Sequence, residues 1–262
     1  MISLTEFDTV NCNRHLGSED YTFIPTNEIV KRIVTRGFEV RDVKEMRIRK
    51  NKEKRQGLQK HMVRLTSDLN PLKSVGDSRF ELVVVNSHDC SSSFQIMAGV
   101  YRLVCSNGMV VGDDVLESLK IRHINLELND LNDYVDKFVS EAAKVDEFMS
   151  RALKYEFTKD QRFSLAKTAL EARGSSLDIS DPTFLLSPRR YEDNRKDAWT
   201  TMNVIQENLI RGARIPNHAL NRTLGTNTRN ARRVSLRQVN NIDADKRINQ
   251  VIWNKTNELI NC

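Results

Sequence analysis

Residues 80–111 carry apolar runs too dense for anything but buried strands. Leu82, Val83, Val84 and Val85 are consecutive, so neither face of that strand can meet water and it belongs at the centre of a sheet. A polar loop, Ser87-His88-Asp89-Cys90-Ser91-Ser92-Ser93, separates it from a second run starting at Phe94. In that run Phe94, Ile96, Ala98 and Val100 share one parity, and Tyr101, Leu103 and Cys105 the other. Gly99 sits beside the change of phase, as in a β-bulge. Asn107-Gly108 then reads as a type I′ hairpin turn, whose two central positions need positive φ, with 109–111 returning as a short strand.

The preceding segment adds strands of period two. Met46 and Ile48 alternate with Arg47 and Arg49, and Val63 and Leu65 alternate with Met62 and Arg64. Together these predict a hairpin across the loop 51–57, with its cations on one face. Before it, Asn27 caps a short helix that Gly37 stops, with Ile29, Ile33 and Val34 as the buried face.

Beyond residue 128 the period becomes helical. Leu128, Leu131, Val135, Phe138, Ala142, Val145, Met149 and Ala152 form a heptad-like stripe, which packs on the chain's own core or serves as a seam for a homo-oligomer. Thr158 and Gln161 make a capping box, and Gly174 ends the helix it opens. Further helices are expected over 194–211 and from about Asp243. The fold class is therefore α+β, an antiparallel β-meander with a short N-terminal helix followed by a C-terminal set of helices. Its parts are an irregular segment 1–20, a sheet core 21–112 and a helical region 113–262 containing an Arg-rich loop at 213–240.

Charge is segregated along the chain. The net charge is only +6, yet residues 44–64 hold nine Lys and Arg against two Glu, and 208–242 hold seven Arg and no acid. Residues 113–147 reverse the balance, with ten acids against four cations. Phosphate backbones bind such cationic stretches without base reading. Arg47, Arg49, Lys50, Lys52, Lys54, Arg55, Lys60 and Arg64 form one candidate nucleic-acid-binding set. Arg222, Arg229, Arg232, Arg233 and Arg237 form the second, and the two sets are expected to share a surface. Aromatic content is 6%, which leaves Tyr21, Phe94 and Tyr101 as the candidate stacking platforms.

Ser87, His88 and Asp89 contain triad chemistry, but neighbours in an extended loop point in different directions, so hydrolysis is not expected. His61, His88 and Asp89 offer a ligand set for a divalent ion if the second and third strands pair antiparallel, although His61 shares the parity of core residues. Phosphate-binding and dinucleotide-binding glycine loops, zinc-protease and serine-hydrolase motifs are absent from the sequence. No cofactor is expected. The four cysteines lack a C-x-x-C pair, and no apolar run approaches the roughly 18 residues of a membrane span, so reduced thiols and a cytoplasmic location in a bacterial host are expected.

Several stretches resemble one family in order along the chain. They are Tyr21-Thr-Phe-Ile-Pro-Thr26, Gly37-Phe38, His61-Met-Val-Arg-Leu65, Val85-Asn-Ser-His-Asp89, Tyr101-Arg-Leu-Val-Cys-Ser-Asn-Gly108, Leu186-Ser-Pro-Arg-Arg190, Ala198-Trp-Thr-Thr201 and Gln206-Glu-Asn-Leu-Ile210. Together they resemble the phage- and plasmid-like proteins grouped as domain of unknown function 932. One position departs from that resemblance: Cys90 stands where the family is expected to have Gly. The resemblance implies a phage, prophage or plasmid origin and brings no catalytic residues with it. A more distant analogy, of helix-then-sheet order and a basic hairpin, is to single-strand annealing proteins. The expected function is non-catalytic binding of single-stranded DNA in recombination, replication or transfer. The alternatives are a host-interaction or anti-defence protein acting through protein binding, and a metal-dependent nuclease.

Overall fold

The computed structural model describes residues 3–48, 50–71, 78–102, 107–111, 119–123, 133, 135–137, 140, 142–174, 178–220 and 234–262. Two compact units divide the chain, Met1–Asp146 and Glu147–Cys262.

The first unit is an antiparallel sheet with one short helix before it. Helix α1 (Thr26–Val34) leads into β1 (Phe38–Glu45), β2 (His61–Pro71), β3 (Ser78–Asn86), β4 (Phe94–Arg102) and β5 (Asn107–Val110), which pair in that order. A sixth strand, β6 (Leu119–Ile121), pairs with β4 as well. The far edge of β4 is thus divided, with β5 on residues 99–102 and β6 on 94–96. The sheet therefore runs past residue 112.

Strand β3 is central, as its composition demands: from Phe80 to Asn86 every residue is buried. Residues 61–67 of β2 are buried too, so alternation no longer separates a wet face from a dry one. Arg64 is the consequence. It lies inside, 5% exposed, donating to Glu81 at 2.6 Å. The hairpin reading is corrected accordingly: Arg64 is not on a solvent face, and the first strand is Phe38–Glu45, while residues 46–48 have already left it. Phe38 and Val40, at 1% and 5% exposure, provide the buried alternation that Met46 and Ile48 only imitate.

Two glycine readings are also corrected. The β3–β4 register runs unbroken from Ser78↔Arg102 to Val85↔Gln95, with no bulge at Gly99. Gly99 instead faces Glu81, whose Oε2 would lie 2.6 Å from any added Cβ. Its missing side chain is the room that the buried ion pair occupies. Asn107-Gly108 is not a turn: the two residues lie in β5, opposite Arg102 and Tyr101.

Helix α1 departs from its expected cap. It begins at Thr26 after Pro25, with no side-chain cap. The Asn27 amide donates to the Val10 carbonyl at 3.1 Å, so the N-terminal segment satisfies one of the free amides of the helix's first turn. Ile29 and Ile33 are buried as expected and Val30 joins them, while Val34 is 43% exposed. Residues 3–20 are irregular apart from short turns, yet Thr9 and Val10 are fully buried against the unit.

The second unit is helical: α2 (Ala142–Lys154, which contains the boundary), α3 (Lys159–Arg173), α4 (Ala198–Arg211) and α5 (Ile242–Asn261). Thr158 and Gln161 form the expected capping box, and Gly174 ends α3 at φ 67°. Helix α4 starts at 198 and not 194 because Asp197 caps it, accepting from the Thr200 amide at 2.8 Å. Helix α5 packs on α3 and α4 around a ring cluster, with Phe148 stacked on Trp253 at 4.4 Å and Trp199 edge-on to Trp253 at 6.3 Å. Of the heptad stripe, Leu128, Leu131 and Phe138 lie outside the described residues or side chains. Val135, Val145, Met149 and Ala152 are buried within the chain's own core.

Gly99→Ala would drive a methyl group into Glu81 and within 3.1 Å of the Met109 carbonyl. Urea unfolding should register a loss of about 2 kcal/mol, in the range of overpacked core sites.

Candidate functional site

The polar groups where β2 begins and β3 ends hold the first unit's N-terminal elements in place. Pairing brings His61 opposite Asn86. The Asn86 amide donates to the Ile24 carbonyl and to Thr26 Oγ1, both at 2.9 Å, and its own oxygen accepts from the Ser87 amide at 2.8 Å. His61 Nδ1 donates to the Gln59 carbonyl at 3.0 Å, which leaves Nε2 to accept from the Thr26 hydroxyl at 2.8 Å. Three stretches separated in sequence, 21–26, 61–65 and 85–89, thereby close into one network.

Above this network four of the five histidines join a row of rings. His15 stacks on Tyr21 at 4.6 Å, and Tyr21 stacks on His123 at 4.6 Å with planes only 10° apart. Phe23 connects His15, at 6.0 Å, to His88, at 4.9 Å, and His88 lies 5.3 Å from His61. The Tyr21 hydroxyl donates to the Ser87 carbonyl at 3.0 Å. Burial, and then the neighbouring Cys90 and Asp89, push its ionisation well above the ordinary tyrosine range. Burial alone dominates for the histidines. It lowers His61 to about 4 and, with help from His61, lowers His88 to about 3; His123 is lowered too. All three rings are neutral at pH 7.

These bonds leave little for a metal ion. Both nitrogens of His61 are engaged, His88 donates through Nε2 to the Thr9 carbonyl at 3.1 Å, and Asp89 binds Arg55 and the Ser91 amide. Among the described residues, no group of three His, Cys, Asp or Glu is placed to hold an ion. Nor does Asp89 reach His88 as a triad would require.

The cationic residues separate into distinct environments. Residues 46–60 form the β1–β2 loop, closed by the Met46 amide on the Lys60 carbonyl at 2.9 Å. Leu58, fully buried, anchors it, and its carbonyl accepts from the His88 amide at 2.8 Å. Arg47, Lys50, Lys52 and Lys54 are exposed on this loop. Lys50, Lys52, Lys54 and Arg55 line a cleft of about 520 Å³ with Leu16, Asn51 and Glu53. Arg55 also reaches Asp89 at 3.4 Å. Lys60 is half-buried beside β2, and Arg64 is withdrawn into its ion pair. Arg49, Arg222, Arg229, Arg232 and Arg233 lie outside the described residues, while Arg237 is exposed and its carbonyl accepts from Arg173.

Two of the three expected stacking platforms are not open. Phe94 is fully buried, Tyr21 is covered on both faces by imidazoles, and the Tyr101 side chain lies outside those described. What the sequence reading missed is the ring row itself, because His15, Tyr21, Phe23 and His123 share no period or spacing. A cavity of about 350 Å³ beside it is lined by Asp20, Tyr21, Cys90, Ser93, Arg122 and His123, among others.

The second unit has its own polar framework. Arg189 donates to Asn208 Oδ1 at 3.0 Å, and Arg190 pairs with Glu207 and with Asp193. Two further stretches noted in the sequence, 186–190 and 206–210, are thus joined by arginine pairs.

These features define an α+β protein with a meander-type antiparallel sheet, a ring-lined rim and a cationic loop beside it. The chain belongs to the family described as Domain of unknown function (DUF932), which matches residues 15–253. It is similar to the UPF0380 protein YfjQ of Escherichia coli (strain K12), at 31% identity over 239 residues, 90% of this chain and 81% of that protein. The UPF0380 protein YafZ of the same organism is similar to the same extent, 31% over 239 residues. No solved structure matches the chain. No helix among the described residues is long and apolar enough to cross a membrane.

The backbone at Cys90 favours the glycine expected at this position. Its φ is 62°, a left-handed conformation that costs a side-chain-bearing residue about 1–2 kcal/mol. Cys90→Gly removes that strain and adds unfolded-state entropy, so chemical denaturation should show a net gain of about 0.5 kcal/mol.

The histidines give a pH dependence of definite sign. Unfolded histidine titrates near 6.5, whereas His61 and His88 in the fold titrate at about 4 and about 3. As pH falls below 6.5 the unfolded chain takes up protons that the folded one refuses. Stability should drop by about 1.4 kcal/mol per pH unit for each histidine, until pH reaches the folded values. Urea midpoints measured from pH 7.5 to 4.5 should be level at the upper end and fall steeply below; a level profile throughout would contradict the buried neutral pair.

Proposed function

We propose that the chain binds nucleic acid through its phosphate backbone, with single-stranded DNA the preferred form, in the recombination, replication or transfer of a phage or other mobile element. The observation that carries this reading is the β1–β2 loop: Lys50, Lys52, Lys54 and Arg55 line one cleft in which Glu53 is the sole acid. Arg47 extends the same exposed loop. Lysines without a fixed carboxylate partner suit a polyanion, because each phosphate bound releases a condensed counterion and that entropy supplies the affinity. The loop's ends are pinned by Met46 and Leu58, so its cations are displayed from a fixed base. Nothing in this chemistry calls for bond cleavage. The nuclease alternative loses its support, since His61 has no nitrogen left for an ion.

Binding to a labelled single strand should weaken linearly in log–log plots against salt. Replacing Lys50, Lys52 and Lys54 together by Gln should lower the magnitude of that slope by about 2, at roughly 0.7 for each phosphate no longer neutralised. Fluorescence anisotropy over a salt series measures both. Affinity that ignores salt, or a slope unchanged in the triple variant, would reject the loop as the binding surface.

A further inference from the structure

The cavity beside the ring row adjoins the cationic cleft at two points in the chain. Leu16 lines the cleft and Gly17 the cavity; Arg55 lines the cleft and reaches Asp89, whose neighbour Cys90 lines the cavity. At about 350 Å³ the cavity is within the roughly 300–1,000 Å³ typical of small-ligand sites.

Its polar groups are unusual in what they lack. His123 is 5% exposed, and its Nδ1 donates to the Thr22 carbonyl at 3.2 Å. A neutral imidazole has one N–H, so Nε2 bears a bare lone pair, and that buried atom has no partner among the described residues. An unmet buried acceptor is costly, and a small shift of the His123 ring, which lines the cavity, would bring Nε2 to a ligand N–H that meets it. On the rim stands the exposed carboxylate of Asp20, a second acceptor. Ser93 Oγ accepts from Gln95 at 3.2 Å, which leaves its hydroxyl hydrogen to donate. Exposed Arg122 completes the lining with a cation. Because both faces of Tyr21 are already covered, a planar guest cannot stack there and is held by its edge.

We infer that this cavity takes the Watson–Crick edge of one unpaired base, His123 Nε2 and Asp20 accepting its N–H groups, Ser93 donating to a ring or carbonyl acceptor, and Arg122 meeting the adjoining phosphate. The inference rests on the nucleic-acid reading above and deepens it. Every base displays an N–H on that edge, and a duplex consumes it in pairing. Selection for single strands then comes from hydrogen-bonding groups and not from aromatic platforms, of which Tyr21 and Phe94 offer none.

The test compares two labelled strands of about 12 nucleotides with identical phosphates, one carrying mixed bases and one abasic throughout, by fluorescence anisotropy at constant salt. The wild type should favour the intact strand by about fivefold, the worth of one or two net hydrogen bonds. His123→Phe keeps a ring in the stack and removes Nε2; it should bring the ratio near one with abasic affinity unchanged. Asp20→Ala, at an exposed position where folding is not at stake, should lower the ratio in the same way and decides the matter if His123→Phe does not fold. The triple lysine variant should weaken both strands equally and leave the ratio intact. If the wild type binds both strands alike while the lysines still matter, the base site is wrong and the phosphate reading stands. If neither strand binds, both fall.

Discussion

From Phe80 to Asn86, strand β3 has no side that meets water, so a polar side chain there is costly unless it bonds inside the protein. That constraint organises the first unit. Glu81, in the middle of β3, is matched by Arg64 from β2, and the pair fits because Gly99 on β4 contributes no side chain. Asn86, at the end of β3, spends its amide on the Ile24 carbonyl and Thr26. Breaking a buried pair by removing one member leaves the other uncompensated, at a cost of several kcal/mol. Helix α1 and the N-terminal segment are thereby tied to the sheet.

The candidate site lies where this network reaches the rim. The β1–β2 loop is fixed by Leu58 beneath it and by the His88 amide, so the exposed lysines sit above a rigid floor. The ring row continues from that floor through His88, Phe23, His15 and Tyr21 to His123. Burial keeps His61, His88 and His123 neutral, which makes them hydrogen-bonding groups and not charges. The rim therefore places a lysine-rich cleft beside a cavity lined by a buried imidazole.

Much of the fold was legible in the residues. Leu82 to Val85 announced the central strand, the Thr158–Gln161 box and Gly174 marked both ends of a helix, and the juxtaposition of His61 with residues 86–88 followed from antiparallel pairing. Three of the errors share one cause. Reading Arg64 outward, a bulge at Gly99 and a strand at Met46 all assumed that polar parity means solvent. Buried residues of both parities in β2 and β3 void that assumption. Asn107-Gly108 failed differently, since residues 103–106 precede it and the pair is drawn into the ladder opposite Tyr101 and Arg102.

The sequence by itself determined the fold class, the order of strands and helices, and the density of cations in residues 44–64, because periodicity, capping chemistry and charge are local properties of the chain. Only the tertiary structure decided which cations face outward, which histidine nitrogens are already bonded, and that His15, Tyr21 and His123 form one stack. The physical reason is that hydrogen bonds and ring contacts satisfy groups in space, and a stack joining residues 15, 21 and 123 leaves no mark in the spacing along the chain.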